Sequence, residues 1–331
     1  MNFLLTTARR GVYSATKWEK VGEHGEQIFS GHRAHIPVMV SEVLHWLRPS
    51  PSATILDCTV GYCGHAEFIL AASDPTGILI GIDRDPVAIE ESRRRMERFR
   101  PRLHLVQGHF VELKRVLADR GISQVQGVLF DLGASSPQFD DPARGFSFQA
   151  EGPLDMRMDQ TAGRTAADIV NRTAENDLAD IIFQYGEERY SRRIARALIR
   201  AREERPITMT AQLASVVWKS VPARYRNGRL HPATRTFQAL RIAVNQELDH
   251  LDRALRDAVD VLTPGGRICV ISFHSLEDRI VKRTFRSLSG RELKILTRKP
   301  QLPADAEVER NPRARSAKLR VGERIMREGH A

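Results

Sequence analysis

Asp57 closes the apolar run ATILD, and the loop behind it carries glycine at 61 and 64 around Tyr62 and Cys63. Glycine between a first strand and a helix lets backbone approach a nucleotide closely. Asp83 closes the next apolar run, GILIGID, about twenty residues beyond the loop, where an acid can accept hydrogen bonds from both ribose hydroxyls of an adenosine. A tight strand-to-helix turn with Asp83 as a helix cap is the plainer reading, although Asp85, directly before Pro86, is better placed to cap. NAD and S-adenosylmethionine both satisfy the ribose geometry. The loop lacks the G-x-G-x-x-G spacing that cradles a pyrophosphate, and Tyr62 is bulky, so S-adenosylmethionine ranks above NAD.

A further apolar run, GVLFD, leads into Asp131-Leu132-Gly133-Ala134-Ser135-Ser136-Pro137-Gln138. Open α/β sheets bind ligands beyond the carboxyl ends of their strands, so a target group would meet a methyl donor here. Methylating an exocyclic amine requires acceptors that hold its N–H bonds and turn the ring-delocalised lone pair towards the methyl group. Positioning and electrostatics carry most of such a reaction. A backbone carbonyl before a proline, plus a side-chain oxygen, supplies those acceptors. Ser136-Pro137 is similar to the Asp/Asn/Ser-Pro-Pro-aromatic pattern of DNA amino-methyltransferases, with Gln138 in place of the second proline; an ordinary Ser-Pro turn is the alternative. Asp131, Ser136 and Pro137 are therefore the catalytic candidates. No metal is called for, and the three cysteines, Cys58, Cys63 and Cys269, lack zinc spacing.

Positioning these groups takes an alternation of strands and helices. Strands are expected at 53–58, 77–82, 103–106, 127–132 and 267–273, with helices over 66–72, 86–99 and 110–118 among them. Two further strands are expected at 293–297 and 317–321. Continuous apolar strands alternating with helices imply a parallel, doubly wound, Rossmann-like α/β sheet covered on both faces. That is the class I S-adenosylmethionine-dependent methyltransferase layout. From 135 to 240 no strand pattern occurs, and helices are expected over 174–185, 191–202 and 209–218. This reads as an all-helical, substrate-binding insert. One long helix is expected over 237–262, then a turn at Pro264-Gly265-Gly266. The expected organisation is a flexible tail over 1–34, a methyltransferase core over 35–134 and 241–325, the insert over 135–240, and a short tail over 326–331.

The 331 residues include 51 Lys and Arg against 41 Asp and Glu, a net charge of +10. That excess favours a polyanionic partner, nucleic acid first; a solvated basic surface is the alternative. Arginine dominates and suits bidentate phosphate contact. Arg192, Arg193 and Arg196 recur along one expected helix, and Arg235, Arg241 and His274 lie further on. All six are candidate RNA contacts, which salt would weaken. A target base must be unpaired or swung out to be reached; Phe146 or Phe148 is a candidate to stack on it, or else a core residue. No run approaches the ~18 apolar residues of a membrane span. The odd, scattered cysteines fit a reducing compartment, the cytoplasm. The acid-poor start of the chain, with Arg9 and Arg10, leaves a mitochondrial matrix as the alternative.

Long stretches resemble one family. HIPVMVSEVL (35–44), IDRDPVAI (82–89), DLGASSPQ (131–138), GPLDMRMD (152–159), HPATRTFQALRIAVNQEL (231–248), SFHSLEDRIVK (272–282) and NPRARSAKLR (311–320) resemble the MraW-type 16S rRNA (cytosine-N4) methyltransferases. The resemblance runs from His35 to Glu323. It implies S-adenosylmethionine as cofactor and N4 of a P-site cytidine in the decoding centre of 16S-type rRNA as target. It also implies the small ribosomal subunit as partner. The family's Gly-Gly-His cofactor loop falls on Cys63, Gly64 and His65, its ribose acid on Asp83 and its adenine-side aromatic on Phe110. Asp131 and Gln138 complete the cofactor pocket on the same resemblance. Cys63 stands where the family has glycine, which matters if that position has a positive φ. A DNA amino-methyltransferase, a non-catalytic RNA-binding protein of this fold and a dehydrogenase are the competing readings.

Overall fold

The computed structural model describes residues 37–228 and 230–326. The expectations for 1–34, for His35 and for the last five residues lie outside them. Seven strands form one sheet in the order β3-β2-β1-β4-β5-β7-β6. They are β1 (Thr54–Asp57), β2 (Ile78–Asp83), β3 (Leu103–Gln107), β4 (Val125–Asp131), β5 (Leu262–Ser272), β6 (Leu293–Ile295) and β7 (Lys318–Arg324). The first five pair in parallel, and β7 runs antiparallel to both β5 and β6.

Alternate strand residues enter opposite apolar layers, as the two-residue period of a strand requires. Ile55, Leu79, Leu129 and Ile271 face one layer. Helices α1 (Val40–Leu47), α2 (Gly64–Ala72) and α3 (Pro86–Arg95) supply the rest of it. Leu56, Ile80, Phe130 and Val270 face the other, covered by α4 (Leu113–Ala118), α12 (Leu251–Asp260) and α13 (Ser275–Leu288). The chain moves outward one way from β1 through β2 to β3 and the other way through β4 to β5. The crevice between the carboxyl ends of β1 and β4 is thus the switch point at which such sheets bind ligands.

Between β4 and β5 no strand forms among the described residues, only an isolated bridge from Pro153 to Met209. The helices there, ahead of α12, are α5 (Ser136–Asp140), α6 (Ala166–Arg172), α7 (Glu175–Gly186), α8 (Ser191–Glu204), α9 (Thr210–Ser220), α10 (Ala223–Arg226) and α11 (Ala233–Asn245). Helices α6 to α11 share a third apolar cluster that includes Ile182, Leu198, Val217, Phe237 and Leu240.

Three local expectations change. The long helix over 237–262 is two helices, α11 and α12, because Gln246 takes a left-handed conformation and closes α11. Residues 240 and 241 lie within α11, so no break in the chain marks that boundary. The segment over 110–118 opens with a 3-10 turn, Phe110–Glu112, where Glu112 and His109 cap one another. The Pro264-Gly265-Gly266 turn lies inside β5 as an irregularity: Val125 pairs with Leu262, but Gly127 pairs with Arg267.

Gly186 ends α7 where it crosses α11, and a Cβ there would lie 2.6 Å from the carbonyl oxygen of Arg235. Gly186→Ala is expected to destabilise the fold by about 1–3 kcal/mol, the usual cost of overpacking. Denaturant unfolding reads this as a lowered midpoint; an unchanged midpoint would show that the two helices separate freely.

Candidate active site

Three carboxylates, Asp57 buried and Asp83 and Asp131 half-buried, gather at the carboxyl ends of β1, β2 and β4. Asp57 is 2 % exposed, and burial pushes its pKa up to about 7, with His65 opposing and Asp131 and Asp83 adding to the rise. Burial and then Glu277 push Asp131 up to about 7. Burial raises Asp83 to about 6 against two backbone hydrogen bonds. None of the three ion-pairs with Lys or Arg among the described residues; Asp131 faces only His65, with Nδ1 at 3.6 Å. Buried carboxylates without a cation are costly. A ligand with ribose hydroxyls and positive charge fits this set.

The glycine loop is held by Asp83. Its Oδ2 accepts from Gly61 N at 2.7 Å and its Oδ1 from Asp85 N at 2.9 Å. Each oxygen keeps a free lone pair. Cys63 has φ 61° and is fully buried. This is the left-handed region, which disfavours a side chain by ~1–2 kcal/mol. The glycine that the resemblance implies here is therefore replaced where glycine is worth most. Burial keeps the Cys63 thiol protonated, with its pKa pushed up to about 12. Gly64 and His65 begin α2. The Nε2 of His65 lies 2.8 Å from the carbonyl oxygen of Val38, and burial lowers its pKa, so the ring is neutral with the proton on Nε2. Phe110 sits just beyond β3, tilted against His109 and edge-on to Phe130.

The reaction loop is clamped at its far end. Gln138 accepts from Ser135 N at 2.9 Å and donates to Asp85 Oδ2 at 2.8 Å. Arg144 Nη1 reaches the same oxygen at 2.9 Å, and its Nη2 binds the Met158 carbonyl at 2.8 Å. Ser136 and Pro137 form the first turn of α5. The carbonyls of Ser135 and Pro137 accept from Phe139 and Asp141 within that turn. Two side-chain oxygens on this loop, Asp131 Oδ1 and Ser135 Oγ, are buried without a hydrogen-bond partner. Gly133, at φ 94°, packs this loop against Arg241 and Glu277.

The expected RNA contacts divide. Arg192 and Arg193 project from α8 into solvent. Arg196 approaches Glu175 at 3.4 Å, and Arg235 is exposed while donating to the Glu187 carbonyl. Arg241 and His274 turn inward. Both terminal contacts of Arg241 go to Glu247, at 2.9 and 3.0 Å, with the side chain 12 % exposed. Burial would lower its pKa, but Glu247 and Glu277 hold it above the usual value. His274 caps α13 and lies 3.1 Å from Glu277 Oε1. These two side chains shape the floor of the site and offer phosphates little. Glu247, His274 and Glu277 also bring ligand atoms within 4.8 Å of one another, and Arg241 already supplies positive charge there.

Comparison with known proteins accounts for this arrangement. The model of the MraW methylase family matches residues 32–325. The chain belongs to the MraW methylase family. It is 49 % identical over 308 residues to the ribosomal RNA small subunit methyltransferase H of Geobacter sulfurreducens, covering 88 % of this chain and 99 % of that protein. The same name is carried by a Syntrophobacter fumaroxidans protein, 50 % identical over 88 % of this chain and 96 % of its own length. A Synechococcus elongatus relative of that name is 50 % identical over 89 % and 96 %. The sheet of this MraW-family chain, with its antiparallel last pair, is the class I S-adenosylmethionine-dependent methyltransferase sheet.

Sequence reasoning took Asp57 as a strand end and Asp85 as a helix cap, the role Asp85 does fill, but gave neither a part in the site and gave Arg144 and Ser135 no role. Ser135 was open to discovery, since Ser135 and Gln138 have capping-box spacing. Arg144 lies 59 residues from Asp85 and has no local signature.

Two outcomes are expected. Raised carboxylates bind cations only when deprotonated, so affinity for S-adenosylmethionine should climb as pH rises through 6 to 7. S-adenosylhomocysteine, without the sulfonium charge, should show a shallower rise in calorimetric titration; equal slopes would remove the carboxylates from cofactor binding. Cys63→Gly relieves ~1–2 kcal/mol of backbone strain but loses a buried side chain of similar worth, about 1–1.5 kcal/mol. Its unfolding free energy should thus stay within about 1 kcal/mol of the parent, whereas Cys63→Val, which is β-branched, should lose more than that.

Proposed function

We propose that this chain transfers a methyl group from S-adenosylmethionine to N4 of a cytidine in the decoding centre of small-subunit 16S-type rRNA. The observation that carries the reading is the pairing of Asp131 Oδ1 with Ser135 Oγ, two buried, unpartnered oxygens on the loop after β4. Its rRNA substrate comes from the names of the relatives. S-adenosylmethionine supplies an electrophilic methyl group on a sulfonium. Asp83 would hold the ribose hydroxyls, and Asp57 and Asp131 would face the positive charge.

The residues of the chain then have three tasks. Ser135 Oγ and Asp131 Oδ1 accept the two amine hydrogens and so orient the nitrogen lone pair. Asp131, pushed up to about 7, takes the proton that leaves N4 as the new N–C bond forms and the methyl carbon–sulfur bond breaks, its electron pair staying on the S-adenosylhomocysteine sulfur; a base with its pKa near ambient pH suits that step. His65 stays neutral beside it and donates its Nε2–H to the Val38 carbonyl, so its Nδ1 lone pair faces Asp131. The clamp of Gln138 and Arg144 on Asp85 keeps the loop from relaxing when the base enters. The three buried, free cysteines fit a reducing cytoplasm, the location this reading assigns.

The test is transfer of labelled methyl to small ribosomal subunits that lack the modification, followed by mapping of the labelled nucleotide. Label on N4 of one decoding-centre cytidine is expected, and label on DNA or another base would replace this reading. Single-turnover rates should rise with pH through about 7, because Asp131 accepts a proton only when ionised. Asp131→Asn should cost about 10²–10⁴-fold in rate, the range for a lost general base. Ser135→Ala should be slower than Ser136→Ala; the reverse order would return the amine contact to Ser136.

A further inference from the structure

Six arginines lie between residues 93 and 102, and the fold sorts them onto two sides. Arg95 and Arg98 reach Glu67, while Arg102 donates to the Leu70 and Gly77 carbonyls and to Asp74. These three fasten α3 and the turn after it onto α2. Arg93, Arg94 and Arg100 turn the other way. Together with Arg120, from the connection between α4 and β4, and His104 of β3, they line a cleft of 480 Å³ at the outer edge of the sheet. Met96 and Leu103 form its apolar floor, and Glu97 is the one acid on its wall.

Helix-end electrostatics explain Arg93 and Arg94, which sit in the last turn of α3. They do not explain why Arg100 and Arg120, from other segments, join the same hollow. Arg93, Arg94 and Arg100 have only exposed partners three residues away, Glu90, Glu91 and Glu97 at 3.5, 3.1 and 3.0 Å. Such pairs are worth little and exchange readily. The cleft lies at the amino end of β3, whereas Asp57, Asp83 and Asp131 stand at the opposite ends of their strands, so the methyl-transfer site makes no use of it.

The geometry points to a second RNA contact: this cleft takes a stretch of phosphate backbone from the RNA whose base is presented at the reaction loop. The RNA's identity rests on the rRNA reading above; the chemistry of the cleft does not. Guanidinium forks match phosphate oxygens two at a time. An apolar floor accepts a ribose or the face of a base. The balance of charge disfavours a protein partner: four arginines, Arg93, Arg94, Arg100 and Arg120, stand against the single acid Glu97, which suits a phosphate backbone.

The full-length protein with Arg93→Gln, Arg94→Gln and Arg100→Gln tests this. A control with Arg253→Gln, Arg283→Gln and Arg286→Gln removes equal charge from exposed positions elsewhere. Binding to unmodified small ribosomal subunits, and to an RNA of the decoding-region sequence, is measured between about 50 and 200 mM salt. The cleft variant should bind about tenfold more weakly, with the salt slope reduced by about 2, since each lost phosphate contact removes roughly 0.7–0.9. Its KM for subunits should rise in proportion, with kcat and S-adenosylmethionine affinity unchanged. Unchanged binding and slope, or an equal loss in the control, overturns the proposal. So does a loss seen with a polyglutamate peptide but not with RNA. A parent protein that binds RNA through the cleft yet transfers no methyl group would sink the functional reading and leave the cleft standing.

Discussion

One buried carboxylate, Asp85, joins the parts of the site. Its Oδ1 caps α3 through Val87 N at 3.0 Å, and its Oδ2 receives both Gln138 and Arg144. Asp85 is 1 % and Arg144 5 % exposed. A buried pair of this kind adds little net stability, because desolvating both charges offsets their attraction, yet removing one partner costs about 3–5 kcal/mol. What the pair contributes is geometry. The turn after β2, the loop after β4 and the segment entering the helices share one anchor, so none of them shifts alone. Asn245 does similar work from the other side: its side chain binds the Met156 carbonyl at 2.7 Å and Met158 N at 2.8 Å.

On that rigid frame the protein tolerates several unfavourable features in one place. Three carboxylates carry raised pKa values, two oxygens lack partners, and Cys63 is held at positive φ. Each reduces the stability of the ligand-free fold. Strain and unmet polar demand of this kind gather where a ligand relieves them. The carboxylates work in a definite direction: a raised acid pKa means the folded state holds protons that the unfolded chain has released. Stability is therefore lost as pH rises from the unfolded value near 4 towards the folded values of about 6 and 7. Cation binding reverses that loss at neutral pH, so the same groups that weaken the empty fold couple it to its cofactor.

The centre of the sheet was legible in the sequence because β1, β2, β4 and the second half of β5 are continuous apolar runs, the first three closed by an aspartate. Asp83 and the loop after β4 were legible because ligand sites lie at strand ends. The rest depended on tertiary contacts. Nothing local in the 237–262 pattern shows that Gln246 turns left-handed, because the apolar spacing continues through the break. Arg241 reads as one more surface arginine until Glu247, six residues on, folds back to meet it. Phe146 and Phe148 were equally apt as stacking or core residues; Phe146 is buried against Phe139, and Phe148 is packed between His231 and Phe237. Composition records total charge, but which arginines reach solvent is decided by carbonyls and acids far away in the chain, as Arg102 and Arg202 show.

Helix α11 makes the helical segment and the sheet a single mechanical unit. Its first turns meet α7 closely at Gly186, its middle sends Phe237 and Leu240 into the third apolar cluster, and its last turn carries Arg241 and Asn245. Arg241 touches the reaction loop beside Gly133, and Asn245 accepts from Arg84, the residue after Asp83. A helix is stiff along its axis, with about 1.5 Å per residue. A displacement of the helical segment is then transmitted to both the Asp83 side and the Asp131 side of the site. The boundary between core and insert, natural in sequence, has no mechanical counterpart at 240/241: the residues that would hold RNA and those that hold the reacting groups ride on one rod.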